Sequence, residues 1–236
     1  MNSSRSSQQQ CRWQVFADAA TLYAQAVTMV ERLAREAIAA RGAFHIVLAG
    51  GATPQPLYHH LRRLNTDWSR WHVYFGDERC LPPDDPQRNS AMARAAWLAQ
   101  VPIPPAQIHA IPVEAGAPEA ARQYALVLAG IDRFDLVLLG LGEDGHTASL
   151  FPGQPLGREE SGPAVLAVTA APKPPAQRVT LSAWRLSQSR AVMFLVTGAT
   201  KRPAVSAWRG GADIPARAIV PESGVDVLAD QDSCPP

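Results

Sequence analysis

The chain is 236 residues long, with 47% hydrophobic and 18% charged residues, values of a folded globular protein that exclude wholesale disorder. Its 22 basic and 21 acidic side chains leave a formal charge of +1, which argues against a nucleic-acid or membrane-surface protein, since both need a net basic footprint. An anionic ligand must therefore be met by a local cluster of cations, and no apolar run approaches the ~20 residues of a membrane helix.

The opening MNSSRSSQQQ lacks the apolar centre of a signal peptide, so residues 1–12 read as a disordered polar leader and the protein as cytoplasmic. A strand is expected at Trp13–Phe16, then a helix from Asp18, its N-cap, to Ala40. Leu22, Ala26, Val30, Leu33 and Ala37 give that helix one apolar stripe, and Gly42 ends it. Phe44–Ala49 reads as a buried strand closed by Gly50-Gly51, with Thr53 capping a helix that has Pro54 in its first turn. Strands follow at Trp71–Phe75, Gln107–Ile111 and Phe134–Leu139, interleaved with helices at Ser90–Leu98 and Pro118–Ala129. Val165–Thr169 and Arg178–Leu181 read as strands around the Pro-rich Ala171–Pro175, and Val192–Val196 leads into a helix at Thr200–Arg209. Alternating strands and helices imply one α/β domain over 13–236. Its sheet is expected to be mostly parallel and Rossmann-like, with helices on both faces. Cys11, Cys80 and Cys234 are odd in number and far apart, which fits a reducing compartment better than disulfides or zinc.

In such sheets ligands bind beyond the carboxyl ends of the strands, so the loops after each apolar strand carry the information. Gly50-Gly51-Ala52-Thr53 is either a phosphate-binding turn at a helix N-terminus or an ordinary tight turn. Gly140–Gly145 is formally G-x-G-x-x-G, but Glu143 and Asp144 would set carboxylates against a pyrophosphate, and His146 stands where a P-loop needs lysine. The better reading pairs His146, a general base, with Asp144, which fixes its tautomer. The other histidines (His45, His59, His60, His72 and His109) lie on strands or helix faces and read as structural. Asp77-Glu78-Arg79 is either a solvated charge run or a site in which Arg79 holds substrate oxygens and Asp77 binds a sugar hydroxyl or acts as a base. Lys173 and Lys201 are the only lysines, and Lys201, Arg178 and the Gly50–Thr53 turn can together form a phosphate site.

Taken together, the segments Leu48–Pro54, Phe75–Arg79, Leu138–Gly153, Pro172–Leu181 and Val196–Lys201 resemble the 6-phosphogluconolactonase family, in order from about Val15 to Val220. Gly-His-Thr-Ala-Ser-Leu-Phe-Pro-Gly, ending at Gly153, is the most specific stretch. The resemblance implies a sugar-phosphate isomerase-like fold, shared with glucosamine-6-phosphate deaminase. It implies hydrolysis of 6-phospho-D-glucono-1,5-lactone in the oxidative pentose phosphate pathway, with no cofactor or metal; the near-neutral charge adds the expectation of no nucleic-acid or membrane partner. A monomer or weak homodimer is expected. By the same resemblance His146 is the base, Asp144 its neighbour and Arg79 the arginine of the Asp-Glu-Arg motif. Gly50, Gly51 and Thr53 match the phosphate loop, and Arg178 and Lys201 its other cations. Ala49 and Ala52 replace hydroxyl residues usual in that loop, Cys80 replaces a common aromatic, Arg88 precedes Asn89 where serine is usual, and Asp226–Pro236 is diverged. The related deaminases usually carry a glutamate shortly after the Gly-His pair, and Thr147–Pro152 has none. A non-catalytic sugar-phosphate-sensing module would keep Lys201 and Arg178 but has no use for Asp144 and His146.

Overall fold

The computed structural model describes residues 8–235. Its main sheet has seven strands in the order β1-β10-β9-β6-β2-β3-β5, every neighbouring pair parallel. These are β1 (Cys11–Phe16), β2 (Phe44–Leu48), β3 (Trp71–Phe75), β5 (Ile108–His109), β6 (Leu136–Gly140), β9 (Val192–Val196) and β10 (Val225–Asp230). A second, antiparallel sheet joins β4 (Asp77–Arg79), β8 (Arg178–Leu181) and β7 (Val165–Val168). Both Rossmann-like character and parallel pairing agree with the sequence. The second sheet corrects it: the Val165 and Arg178 strands pair antiparallel with each other, outside the main sheet, and Asp77–Arg79 is a strand rather than a loop.

The helices are α1 (Ala19–Arg41), α2 (Pro54–Leu61), α3 (Asn89–Ala96), α4 (Ala117–Leu128), α5 (Ala183–Ser187) and α6 (Arg202–Arg209). Local chemistry explains the ends of α1. The Asp18 carboxylate accepts the amide of Thr21 at 2.8 Å, and Gly42 adopts a left-handed φ of 79°. Leu22, Ala26, Val30 and Ala37 are buried as expected, whereas Leu33 is only half-buried and Ala34 faces the core. Thr53 does not cap α2: its backbone is already helical, and its side chain makes no capping hydrogen bond.

Helices cover both faces. Tyr58 of α2 stacks on Trp97, just after α3, which meets Trp71 and through it Phe44 on one side of the sheet. On the other, Arg185 of α5 lies 4.1 Å over the Phe134 ring, which packs on Tyr74. His45, His72 and His109 form a stacked, half-buried column on adjacent strands.

Two features of the N- and C-termini differ from expectation. Residues 1–7 of the expected leader lie outside the described residues, but Cys11 and Arg12 already belong to β1, and Gln9 donates to the carbonyls of Ala216 and Ile219. The diverged C-terminal segment supplies β10, inserted between β1 and β9. No helix among the described residues is long and apolar enough to cross a membrane.

The strand order places the site. From β2 the chain runs outward through β3 to β5, then returns on the other side of β2 with β6, β9 and β10. The loops after β2 and β6 therefore diverge, leaving a crevice at the carboxyl ends of two adjacent strands.

Candidate active site

That crevice is lined by Gly50, Gly51 and Thr53 after β2, by Asp77 and Arg79 of β4, and by Gly140, Gly142, Glu143 and His146 after β6. Asn89, Ala148, Lys173, Arg178 and Lys201 complete it. Every residue singled out in the sequence lines this cleft except Asp144, which sits against His146.

β4 shows how three consecutive charges are used. Alternate residues of a strand face opposite sides, so Asp77 and Arg79 share the cleft side and Glu78 points away. Glu78 is fully buried, and its carboxylate accepts the amides of Arg79 (2.8 Å), Asn89 (2.7 Å) and Ser90 (2.8 Å). The last two are the first free N–H groups of α3, so Glu78 caps that helix from another strand and fixes Asn89 at the cleft wall. Arg88 lies beside it, 3.6 Å from Glu78 and also paired with Glu114.

Asp77 is buried, and both of its oxygens are occupied. Asn89 Nδ2 donates to Oδ1 at 2.9 Å, and Ser149 Oγ donates to Oδ2 at 2.5 Å. Burial pushes the Asp77 carboxyl above its ordinary range, against the Ser149 hydrogen bond and the nearby Arg178. Across the antiparallel pair, Arg79 lies directly opposite Arg178. Like charges in that arrangement repel, a cost relieved by Asp77 and by any anion bound between them.

Arg178 is more confined than the sequence implies. It is buried, with Nε donating to the carbonyl of Pro175 (3.0 Å) and Nη2 to those of Lys173 (3.1 Å) and Pro174 (3.0 Å), while Nη1 faces Ser149 at 3.4 Å. Its guanidinium thus holds the loop before β8 as well as lining the cleft.

The loop after β6 is closed by its own backbone. Gly142 N donates to the carbonyl of His146 at 2.7 Å, Gly145 N to that of Gly142 at 3.0 Å, and Thr147 Oγ1 to that of Gly140 at 2.9 Å. The Gly142 and Gly145 amides are therefore occupied, which removes both from the set of loop donors available to an oxyanion or a pyrophosphate. The glycines serve the imidazole instead. A Cβ on Gly142 would lie 1.9 Å from His146 Nδ1, and Gly145, at φ +82°, would strike Ile214 at 2.7 Å. Gly50 has the same role for Asn89, whose Oδ1 would stand 1.9 Å from an added Cβ.

His146 Nδ1 is hydrogen-bonded to Asp144 Oδ1, and its ring packs on Phe151 with centroids 4.8 Å apart. With Nδ1–H donated to a carboxylate, Nε2 carries the lone pair. Burial lowers the imidazole pKa from its ordinary value, against the opposing pull of Asp144, and Lys173 lowers it further. The imidazole is accordingly held toward its neutral form. Asp144 stays ionised: burial raises its pKa, but the hydrogen bonds from His146, together with the Lys173 charge, bring it below the usual range. Burial also lowers the pKa of Lys201, partly offset by Glu143. Among the described residues no three His, Cys, Asp or Glu side chains are placed to hold a metal ion.

Asn89 of the cleft wall and Ser149, which meets the cleft residues Asp77 and Arg178, are given no role by the sequence. Ser149 lies inside the most specific motif, yet its partner Asp77 is 72 positions away, and no local pattern announces such a pair. Lys173, whose position the sequence leaves open, lines the cleft 3.8 Å from Asp144.

Residues 17–228 match the model of a family described as glucosamine-6-phosphate isomerases/6-phosphogluconolactonase. A 6-phosphogluconolactonase of Synechocystis sp. is 41% identical over 226 residues, covering 89% of this chain and 91% of that protein. The crystal structure of a 6-phosphogluconolactonase from Thermotoga maritima superposes with a TM-score of 0.86 at 25% identity, covering 94% of this chain and 100% of that one. A monomeric glucosamine-6-phosphate deaminase superposes with a TM-score of 0.80 at 22% identity, over 95% and 98% of the two chains. The fold is thus common to both chemistries and does not separate them.

The close approach of Gly142 to the imidazole gives a direct test. Gly142→Ala should keep the far-ultraviolet circular dichroism of the parent and lower kcat by ~10²-fold or more, because an ångström-scale displacement of the base is enough for that loss. Full activity in the alanine variant would show that the imidazole position is not held by this contact.

Proposed function

The chain belongs to the glucosamine-6-phosphate isomerase/6-phosphogluconolactonase family, and we propose that its cleft hydrolyses 6-phospho-D-glucono-1,5-lactone to 6-phospho-D-gluconate by general-base activation of water. That is the lactone-opening step of the oxidative pentose phosphate pathway. The observation that carries this reading is a neutral imidazole, oriented by Asp144, in one cleft with the cations Arg79, Arg178 and Lys201.

His146 Nε2 takes a proton from water as the water oxygen attacks the lactone carbonyl. Asp144 keeps the tautomer fixed and stabilises the imidazolium that forms. Negative charge grows on the carbonyl oxygen, and Arg79 is the cation placed to meet it. One Nη of Arg79 is held by the Gln87 carbonyl, and the side chain lines the cleft, so its second Nη is the donor assigned to the substrate oxygen. Collapse of the tetrahedral intermediate breaks the ring C–O bond, and the imidazolium returns the proton to the leaving alkoxide.

The phosphate belongs at the other end. Lys201, the Gly50–Gly51 turn and Thr53 are the groups assigned to it, and Arg178 lines the same cleft. Ala49 and Ala52 contribute no hydroxyl there, so backbone amides and Lys201 carry more of the binding. Asp77, with both oxygens engaged, acts chiefly by holding Asn89, Ser149 and Arg178 in place, and the free edge of its carboxylate is available to a sugar hydroxyl. A cytoplasmic location suits this substrate and the unpaired thiols of Cys11, Cys80 and Cys234.

An amino-sugar-phosphate deaminase is the competing chemistry on this fold. Residues 147–152 offer no carboxylate, and two of the polar groups there are engaged, Thr147 by Gly140 and Ser149 by Asp77. Ammonia release from glucosamine-6-phosphate is therefore expected to be absent.

Stopped-flow hydrolysis of freshly generated lactone, with the spontaneous rate subtracted, tests the proposal. No acceleration over the spontaneous reaction would overturn it. His146→Ala should lower kcat by ~10²–10⁴ with the fold intact, the usual contribution of a general base. Because the neutral form is the active one and burial lowers its pKa, kcat/KM should rise with pH along a single acid limb centred below 6.5 and then level off. A limb centred above that value would contradict a buried neutral base. Lys201→Ala should raise KM roughly tenfold or more with kcat little changed, as expected for a charge-assisted bond to a phosphate that does not change during the reaction. A loss confined to kcat would move Lys201 to the reacting end.

A further inference from the structure

All but two of the chain's 22 basic residues are arginines, and both lysines, Lys173 and Lys201, line the same cleft. Lys201 stands at the end proposed for phosphate. Lys173 stands elsewhere. Its Nζ lies 3.8 Å from Asp144 Oδ1, the same oxygen that accepts the Nδ1–H of His146. The backbone that carries it is fixed: Arg178 donates to the carbonyls of Lys173, Pro174 and Pro175, and Arg178 is in turn tied to Ser149 and so to Asp77.

We propose that Lys173 is a positioning residue for the base: its ammonium shares the Asp144 carboxylate with His146 and lets that carboxylate orient the imidazole without charging it. This rests on the lactonase reading of the same cleft. A carboxylate at Nδ1 has two effects that conflict in a general base. It selects the useful tautomer, but it also stabilises the imidazolium, and a base that is already protonated accepts nothing. A cation on the far side of the carboxylate cancels much of the second effect and leaves the hydrogen bond, and hence the orientation, intact.

The remaining charges around the imidazole do not perform this task. Asp144 and Glu143 come from its own loop, Asp77 and Arg79 from β4, Arg178 from β8, and Lys201 from the turn before α6. Of the cations, Lys173 alone is within ion-pairing distance of Asp144 among the described residues. Arg178 is engaged by backbone carbonyls, Arg79 by Gln87, and Glu143 lies close enough to Lys201 to raise its pKa. Lowering of the imidazole pKa by the Lys173 charge agrees with this placement.

The test uses two readouts on the full chain, with Lys173→Gln and the conservative Lys173→Arg. The first is an NMR titration of the His146 imidazole, assigned by its loss in His146→Ala, and it needs no substrate. The second is the pH profile of lactone hydrolysis. In Lys173→Gln the imidazole midpoint should move to higher pH. kcat/KM at pH 5.5 should fall about three- to tenfold against the parent, the consequence of removing one unit charge a few ångströms beyond the carboxylate. The deficit in kcat/KM should shrink as the pH is raised toward 8, since the base is then neutral in either protein. Lys173→Arg should behave as the parent in both measurements.

An unmoved imidazole midpoint in Lys173→Gln overturns the proposal. If that comes with a raised KM at pH 8, Lys173 is a substrate ligand instead. Failure of the parent to hydrolyse the lactone would overturn the lactonase reading while the titration still decides the role of Lys173.

Discussion

The buried carboxylate of Asp77 is the node on which the cleft depends. Through Asn89 it reaches the N-terminus of α3, and through Ser149 both the segment after β6 and, by way of Arg178 on that same hydroxyl, the loop that carries Lys173. Isolated, a buried carboxylate would be strongly unfavourable; removing one partner from such a set leaves an uncompensated charge or an unpaired polar group. The network is therefore stable only when all its members are in place, which is the property a site assembled from distant loops requires. Glu78, one residue on and facing the other way, does for α3 what Asp77 does for the cleft. Three residues of strand thus join a helix cap, an anion-facing arginine and the central node.

Much of this order was legible in the sequence. The runs of the main sheet, the cap of α1 and the loops that converge at the strand ends follow from apolar patterning and from glycine and proline punctuation. Asp144 and His146 were legible because they lie two positions apart in a loop at the end of a strand, and Lys201 because lysine is rare here. What escaped is non-local. β10 carries no pattern that sets it apart from a diverged tail, and only insertion between β1 and β9 makes it a strand. β4 is three charged residues, which no rule of hydrophobic periodicity would assign to a sheet; its pairing with β8 creates it. Thr53 has the right residue type for a cap, but its backbone had already entered the helix, so the hydroxyl was left for the cleft.

The glycines of the Gly140–Gly145 loop show why motif spacing alone misleads. Their pattern coincides with a nucleotide-binding fingerprint, yet the physical requirement is different. Gly142 is small because an imidazole occupies the space of its side chain, and Gly145 because its backbone is left-handed against Ile214. In a dinucleotide site the same spacing brings amides to a pyrophosphate; here the amides of both residues close the loop on itself. The difference lies in where the N–H groups point.

Near-neutral overall charge and a cationic cleft are two sides of one arrangement. With equal numbers of acids and bases to within one, long-range attraction for an anionic sugar acid is weak, and binding must come from charges at short range in a partly dry site. Arg79 and Arg178 face each other across β4 and β8, a like-charge pair whose repulsion an anionic substrate in the cleft would relieve. The reacting end has the opposite need, since a base must remain uncharged until the moment of proton transfer. On the proposed reading both conditions are met: Lys173 is paired with Asp144 and Arg178 with backbone carbonyls, whereas the Gly50–Gly51 turn and Lys201 are left to the phosphate. Energy gained at the phosphate can then orient the lactone carbonyl against the imidazole, converting remote binding into rate at the carbon that reacts.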